Sequence, residues 1–266
     1  MPLFKINNLN YEVDNKVFFK DFCLEIETGE YISIIAPNKS GKSMLTKIIC
    51  AIIPTFDFCI LDNISLNKDN VLKYIKEIGI VTNDIKNPFL FKKVKDELKY
   101  PLKNLDYNDY QINKQITKMT EYFEISDLIN KNIDDLTESE KSKLLIILAL
   151  LHNPKLLVLD DAFNNMDDKT RCFMLEKLNE LNNDGLTILN ITSNLNTIYD
   201  SDKVYVMDKY KITLEGELTD ILTKSSLTKM GLEIPYIVDL SIKLMAYGLI
   251  NKIYFNIDEL QGDLWK

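Results

Sequence analysis

The chain has 266 residues, a formal net charge of −8 and an apolar fraction of 46%. Its length is enough for one large domain, or for one domain with an appendage, and its apolar fraction is ordinary for a soluble globular protein. The acidic balance argues against a general nucleic-acid-binding protein, because such proteins usually present a basic surface. We therefore expect no nucleic-acid partner.

The cysteines and the apolar runs limit the class of protein further. The four cysteines form no C-x-x-C pair, so zinc and thioredoxin-like chemistry are not expected. The N-terminal residues lack the pattern of a signal peptide. The longest apolar run, residues 144–151, is far too short to span a bilayer. If the protein serves a membrane process, we expect it to act from the cytosolic side through partners.

The N-terminal region is predicted to consist of strands followed by a phosphate-binding loop. Residues 3–35 alternate and turn as β structure does. The apolar run at 31–35 leads into a loop at 36–43, and a second apolar run at 44–53 follows. This order predicts a strand, a tight loop and a helix. The loop ends in Gly-Lys-Ser, the part of a Walker A motif that touches phosphate.

The loop offers three kinds of contact to a nucleotide. Backbone N–H groups at a helix N-terminus bind anionic oxygens, Lys42 can reach the outer phosphates, and Ser43 has a hydroxyl suited to Mg²⁺. Ala36 replaces the first glycine of the usual G-x-x-x-x-G-K-[ST] pattern, so the motif is imperfect. The predicted nucleotide contacts in the loop are Asn38, Lys39, Ser40, Gly41, Lys42, Ser43 and Met44.

The rest of the chain alternates between strand and helix patterns. Two continuous apolar runs, at 156–159 and 187–192, are typical of buried parallel strands. The other predicted elements are strands at 59–62 and 78–81, a helix at 71–77, a mainly helical region at 84–150, a hairpin of 204–207 with 211–214, and two C-terminal helices from about 223 that are separated near Gly248. The pattern indicates an α/β fold.

Two adjacent carboxylates follow the run at 156–159. A carboxylate at the carboxyl end of a buried strand, facing a phosphate loop, is what a Mg²⁺ site needs. We predict that Asp160 holds the metal and that Asp161 orients or deprotonates the attacking water. An Asp-Asp pair on its own is more often a solvated turn, and the Gly-Lys-Ser loop upstream is what favours the metal site.

Residues 136–161 resemble a segment of the ATPase subunits of ABC transporters. They read LTESEKSKLLIILALLHNPKLLVLDD, which matches without a gap the signature loop, helix, Asn-Pro-Lys and Walker B strand of that family. Residues 164–167 lie where the family has its D-loop, and Asn83 lies at its Q-loop glutamine. The resemblance covers about residues 3–222. It implies a P-loop NTPase core with a mainly parallel sheet, an N-terminal antiparallel β subdomain and a helical subdomain at about 84–150.

The tail is similar to the C-terminal helical extension of one subgroup, the energy-coupling-factor ATPases. The matching positions are residues 230–235, 248–249, 258–260 and 264–265. These ATPases drive uptake of vitamins and metal ions together with a transmembrane T subunit, a substrate-binding S subunit and a second ATPase. The resemblance therefore implies an ATPase domain at 1–222, an extension at 223–266 that adds a dimer contact, and a peripheral location on the cytoplasmic face of the cell membrane.

The resemblance also implies the remaining site residues. The ligands are ATP and Mg²⁺, and Asn83 joins Ser43 and Asp160 at the metal. The adenine-stacking position falls on Val13, and Ser193 occupies the position of the switch histidine. The signature segment, which contacts the nucleotide of the partner ATPase in the family, is Thr137, Glu138, Ser139 and Glu140.

Several of these positions carry residues that differ from those usual in the family. Two glutamates in the signature segment would face a triphosphate, at a cost of about 1 kcal/mol or more. Thr137 and Glu140 also fit a capping box, which favours a structural role for that segment. Asp161 is one methylene shorter than the family's glutamate, and Ser193 lacks an imidazole. Lys39 replaces a loop glycine, at a cost of about 1 kcal/mol if its φ is positive.

These departures predict that nucleotide binding is kept and that hydrolysis is weak. The first hypothesis is therefore the ATPase subunit of an importer, active or weakly active. The second is a nucleotide-binding structural or regulatory subunit that does not hydrolyse. The third, an ABC protein of translation or DNA repair, is disfavoured because the chain has one ATPase unit, only a short interval between Asn83 and Leu136, and an acidic charge.

Overall fold

The computed structural model describes residues 2–82, 88–224 and 226–265. These residues form two sheets with helices around them. The strands are β1 (Pro2–Val13), β2 (Lys16–Glu27), β3 (Tyr31–Ile35), β4 (Cys59–Leu61), β5 (Ile64–Ser65), β6 (Ile78–Thr82), β7 (Leu156–Asp160), β8 (Thr187–Thr192), β9 (Lys203–Asp208) and β10 (Lys211–Gly216). The α-helices are α1 (Lys42–Ile49), α2 (Val71–Lys76), α3 (Val94–Asn104), α4 (Asp109–Tyr122), α5 (Glu138–Leu150), α6 (Asp168–Asn183), α7 (Leu218–Leu222), α8 (Ser226–Lys229), α9 (Tyr236–Ala246) and α10 (Ile257–Leu264).

The larger sheet carries the phosphate loop. Its strand order is β10-β9-β3-β8-β7-β6, with all neighbours parallel except β10, which is antiparallel to β9. Every residue of β3, β7 and β8 is buried, as their continuous apolar runs predict. Because β3, β8 and β7 are adjacent and parallel, the loops at their carboxyl ends meet at one edge of the sheet.

The smaller sheet is antiparallel, with the order β2-β1-β4-β5. Its inner face shares a hydrophobic core with α1 and the parallel sheet, in which Phe4, Ile48 and Val158 are fully buried. Burial of such side chains is the main stabilising contribution, about 1.5–3 kcal/mol for each. The α/β class, the parallel sheet and the N-terminal antiparallel sheet are thus confirmed.

The region between β6 and β7 is helical, as predicted. Helices α3, α4 and α5 bury residues such as Leu98, Ile116 and Leu144 in a core that they share with α6 and the parallel sheet. The turn before α3 is held by Glu97, which is 5% exposed and accepts the N–H groups of Leu90 and Phe91 at 2.9 and 2.8 Å. The carboxylate fixes the backbone there.

The C-terminal residues pack on the parallel sheet. Helices α9 and α10 lie on either side of Gly248, as predicted, and the four-residue α8 precedes them. Leu227, Leu232 and Val238 are buried in a cluster with Ile35 of β3. The extension therefore shares a core with the strand that leads into the phosphate loop.

Candidate functional site: a phosphate cleft at the end of the parallel sheet

The loop between β3 and α1 has a tightly curled backbone. Lys39 has a φ of 65° and Gly41 a φ of 110°, so Lys39 does take the left-handed conformation whose cost the sequence analysis considered. Its cost is about 1 kcal/mol for a residue with a side chain. Left-handed residues are common in loops whose backbone N–H groups form a concave anion site. Gly41 is required, because a Cβ there would lie 2.3 Å from the ring of Tyr210.

Lys42 lies within the curl of the loop. Its side chain is 6% exposed, and its Nζ donates to the carbonyl oxygen of Ala36 at 3.0 Å. The same Nζ lies 3.5 Å from Oδ2 of Asp161. The ammonium is thus held at the floor of the loop and faces a carboxylate that comes from the neighbouring strand end.

Asp161 follows β7 and contacts both the end of β8 and Lys42, which lies beyond the loop after β3. It follows β7 in the left-handed conformation, with a φ of 50°, and its side chain is 16% exposed. Its Oδ1 accepts the N–H of Ser193 at 3.0 Å and the hydroxyl of Thr192 at 3.3 Å. Lys42, Asp161 and Ser193 are therefore brought together. The contact from Thr192 was not anticipated.

These groups surround an open cleft of about 380 Å³. Its lining is formed by Asn38, Lys39, Gly41, Lys42, Ser43, Met44, Asp161 and Tyr210. Of the predicted loop contacts, Ser40 alone does not line it. That side chain is buried, and the Ser40 carbonyl accepts the N–H of Tyr210 at 2.8 Å.

Two of the three predicted metal ligands, Ser43 and Asp160, are among the described residues. Asp160 is the last residue of β7, is 2% exposed, and pairs in register with Thr82 and Ile191. Asn83 lies outside the described residues. The Ser43 hydroxyl and the Asp161 carboxylate both supply oxygen atoms at the cleft. A buried ammonium and oxygen donors at the start of a helix fit a magnesium-bound triphosphate, because Mg²⁺ binds few protein oxygens and completes its shell with phosphate and water.

The signature segment begins a helix. The Thr137 hydroxyl accepts the N–H of Glu140 at 3.2 Å, and the Glu140 carboxylate accepts the N–H of Thr137 at 2.7 Å. This reciprocal pair confirms the predicted capping box. Lys141 contacts Glu138 at 2.9 Å, and Lys131 lies 3.6 Å from Glu140. Hydrogen bonding to the Thr137 N–H holds the pKa of Glu140 below its usual value.

Ser139 connects the signature segment to the turn before α6. Its hydroxyl accepts the N–H of Asp167 at 2.9 Å, and the Asp167 carboxylate caps α6 by accepting the N–H of Thr170 at 2.9 Å. Hydrogen bonds from Ser139 and Thr170 lower the pKa of Asp167 to about 2. The D-loop position and the signature segment are thus joined within one chain.

Comparison with known proteins decides the family. A model of the family described as "ABC transporter" matches residues 19–164, which is more than half of the chain. The chain belongs to the ABC transporter family.

Curated relatives of this ABC transporter protein match along nearly its whole length. Energy-coupling factor transporter ATP-binding protein EcfA1 of Mycoplasma pneumoniae is 26% identical over 250 residues, which is 93% of this chain and 90% of the relative. EcfA of Pediococcus pentosaceus is 26% identical over 98% of this chain and 95% of its own length. EcfA1 of a Staphylococcus aureus strain is 27% identical over 88% of each. The predicted resemblance to energy-coupling-factor ATPases is confirmed.

Solved structures show the same fold. CbiO1 of Clostridium perfringens, described as part of the ABC transporter complex cbiONQ, has a TM-score of 0.76 at 24% identity over 92% of this chain and 99% of its own. The dimeric ATP-binding cassette MJ0796 bound to ADP and Pi has a TM-score of 0.72 at 23% identity over 81% of this chain and 98% of its own. At these identities the likeness concerns the fold.

One lining residue of this ABC transporter protein was missed by the sequence analysis. Val13, at the predicted adenine position, is 40% exposed at the end of β1, where it pairs with Lys16. Tyr210, in the turn between β9 and β10, lines the cleft instead. The available signal was an aromatic residue in a tight turn, a position where Gly and Asn are usual.

Proposed function

We propose that the chain is the ATP-binding subunit of an ABC importer of the energy-coupling-factor type. It binds MgATP and hydrolyses it weakly, and it couples these events to uptake of a vitamin or a metal ion. The main support is the buried Lys42 ammonium in a cleft with Ser43 and Asp161. The match to energy-coupling-factor ATP-binding proteins, which includes the C-terminal extension, supports the transporter type.

Each group in the cleft has a proposed task. Lys42 and the loop N–H groups bind the phosphates, Ser43 with Asp160 and Asn83 hold Mg²⁺, and Asp161 is the residue that orients the attacking water. Weak hydrolysis follows from the contacts of Asp161. One of its oxygens accepts the Ser193 N–H and the other faces Lys42, so an incoming water must share both oxygens with these groups.

The signature segment supports the same conclusion. In the proposed dimer it would face the nucleotide of the partner ATPase, where backbone N–H groups at the helix N-terminus would bind phosphate. Here the N–H groups of Thr137 and Glu140 are satisfied by the capping box, and the segment carries two carboxylates. We therefore assign the segment a structural role in starting α5.

The proposed partners are a transmembrane T subunit, a substrate-binding S subunit and a second ATPase. Within the described residues, no helix has both the length and the apolarity required to cross a bilayer. Leu90 and Phe91 are 70% and 39% exposed, and the ring of Phe91 lies beside that of Tyr100. We propose this apolar patch as the contact for the T subunit. We propose residues 1–222 as the ATPase domain and 223–266 as the extension that contacts the second ATPase.

Calorimetric titration of the purified chain with MgATP, beside a phosphate-release assay, tests the proposal. We expect MgATP to bind, Lys42→Ala to abolish binding, and Lys76→Ala, an exposed lysine on α2, to leave it unchanged. We expect phosphate release to be slow but above that of Lys42→Ala. Failure to bind MgATP, alone and with co-purified partners, would refute the assignment.

The second candidate is a subunit that binds nucleotide without hydrolysing it. The contacts of Asp161 and the capped signature segment favour it over an ordinary ATPase. Phosphate release equal to that of Lys42→Ala, with binding intact in the unmodified chain, would establish this alternative. Rates typical of transporters would exclude both it and the prediction of weak hydrolysis.

A further inference from the structure

Tyr210 occupies a backbone position that disfavours its side chain. It is the second residue of the two-residue turn between β9 and β10, where Asp208 pairs with Lys211. Lys209 and Tyr210 have φ values of 45° and 66°, so both are left-handed. Such turns favour Asn-Gly, because glycine adopts this conformation without steric cost. An aromatic residue kept in a strained position suggests that its ring has a task there.

The ring of Tyr210 lies between the antiparallel sheet and the phosphate loop. Its centroid is 5.1 Å from that of Phe18 and 5.6 Å from that of Phe19, both in edge-to-face geometry. On the loop side, the ring leaves no space for a side chain at Gly41, and the Tyr210 N–H donates to the Ser40 carbonyl at 2.8 Å. The ring is therefore fixed from both sides and does not need ordering when a ligand binds.

The exposed part of the ring faces the cleft that holds Lys42 and Ser43. Among the described residues that line this cleft, Tyr210 has the only aromatic side chain. A nucleotide whose phosphates lie at Lys42 must place its ribose and base against some wall beyond them. Val13, the position expected to supply an aromatic, is a small side chain at a strand end and offers little area.

We propose that Tyr210 is the residue that contacts the nucleoside of the bound nucleotide. The inference rests on the proposed nucleotide-binding function and names the residue that completes its site. The ring, backed by Phe18, gives a preformed apolar wall on which the ribose and base rest. Aromatic side chains stack on every base, so this contact adds affinity with little preference among bases.

The test compares a complete nucleotide with its phosphate part alone. MgADP and magnesium tripolyphosphate are titrated calorimetrically into the full chain and two variants. Tyr210→Gly removes the ring and suits the left-handed turn. Lys209→Gly is the matched control, since it makes the same change at the neighbouring exposed residue of the turn. We expect Tyr210→Gly to weaken MgADP binding about 5- to 150-fold, the range for lost stacking, and to leave tripolyphosphate binding unchanged.

Two outcomes would overturn the inference. Parallel losses for MgADP and tripolyphosphate would show that the ring only shapes the phosphate loop, and an unchanged affinity for MgADP would show that it contacts no nucleoside. An unmodified chain that binds neither ligand would refute the nucleotide-binding function itself, so the two failures are distinguishable.

A second measurement does not depend on tripolyphosphate affinity. Photolabelling of the full chain with 2-azido-ADP, followed by cleavage before aspartates, separates the peptide 208–219 from the peptide that ends at Val13. We expect ADP-protected label on 208–219. Label confined to the peptide that ends at Val13 would contradict the inference.

Discussion

The capping box of α5 provides a direct test of whether the signature segment is structural. In Thr137→Ala, the N–H of Glu140 loses its 3.2 Å acceptor, while the 2.7 Å bond from the backbone of residue 137 to Glu140 can persist. Thr137 is exposed, so water can replace part of the lost bond. The expected loss is about 1 kcal/mol, within the range known for N-cap threonines.

Urea unfolding followed by circular dichroism measures this loss in the full chain. We expect a lower midpoint at an unchanged slope, and a melting temperature lowered by about 2–4 °C, since that is the shift that 1 kcal/mol produces in a domain of this size. The matched control is Asn108→Ala. Asn108 and Gln111 form the same reciprocal box at the start of α4, away from the signature segment.

The two variants must also behave alike in function. If Thr137 only caps α5, then Thr137→Ala and Asn108→Ala lose similar stability, and phosphate release by the assembled transporter changes equally little in both. The reasoning is refuted if Thr137→Ala retains its stability while Asn108→Ala loses it. A specific loss of phosphate release in Thr137→Ala would also refute it, because the hydroxyl would then act on a nucleotide.

Three further predictions concern the carboxyl groups of Asp167, Asp200 and Asp161. Ser139→Ala should raise the pKa of Asp167 from about 2 towards its ordinary value. Carbon NMR of the Asp167 carboxyl group measures this pKa, and an unchanged titration would exclude the Ser139 contact. Burial raises the pKa of Asp200 to about 6, so this residue destabilises the fold as pH rises above about 4. Asp200→Asn should therefore stabilise the chain against urea by roughly 1 kcal/mol at pH 8, after discounting for partial exposure, and not at pH 3. Asp161→Asn should tighten MgATP binding in calorimetry, because it removes a carboxylate that competes for Lys42; weaker binding would contradict this.

The sequence predicts those features that depend on local pattern or on parallel strand ends. The all-apolar run at 156–159 identified β7, and the spacing of Thr137 and Glu140 identified the cap of α5. Lys42 and Asp161 could be placed together because the parallel strands of one sheet end at the same edge. The end of α1 was predicted too late. The helix stops at Ile49, since Ala51 takes a left-handed φ of 56°.

Features that depend on packing between distant elements could not be predicted in this way. The contact of Tyr210 with Gly41 requires the register of β9 on β3, which no local pattern specifies. The Thr192 hydroxyl reaches Asp161 only because β8 ends beside β7. The extension could be recognised as helical, but its burial against Ile35 depends on which face of the sheet it covers.

In the proposed head-to-tail dimer, the departures in this chain would act on two different nucleotides. The contacts of Asp161 would concern the nucleotide bound in its own cleft, whereas the capped signature segment would face the nucleotide bound by the other ATPase. A homodimer would therefore combine both departures at each of two sites. In a heterodimer, each nucleotide site would contain one of the two departures. A partner with intact motifs would supply only the other half of each site. Slow hydrolysis is thus expected for either assembly, while nucleotide binding is expected to depend on Lys42 and Ser43, which both line the cleft.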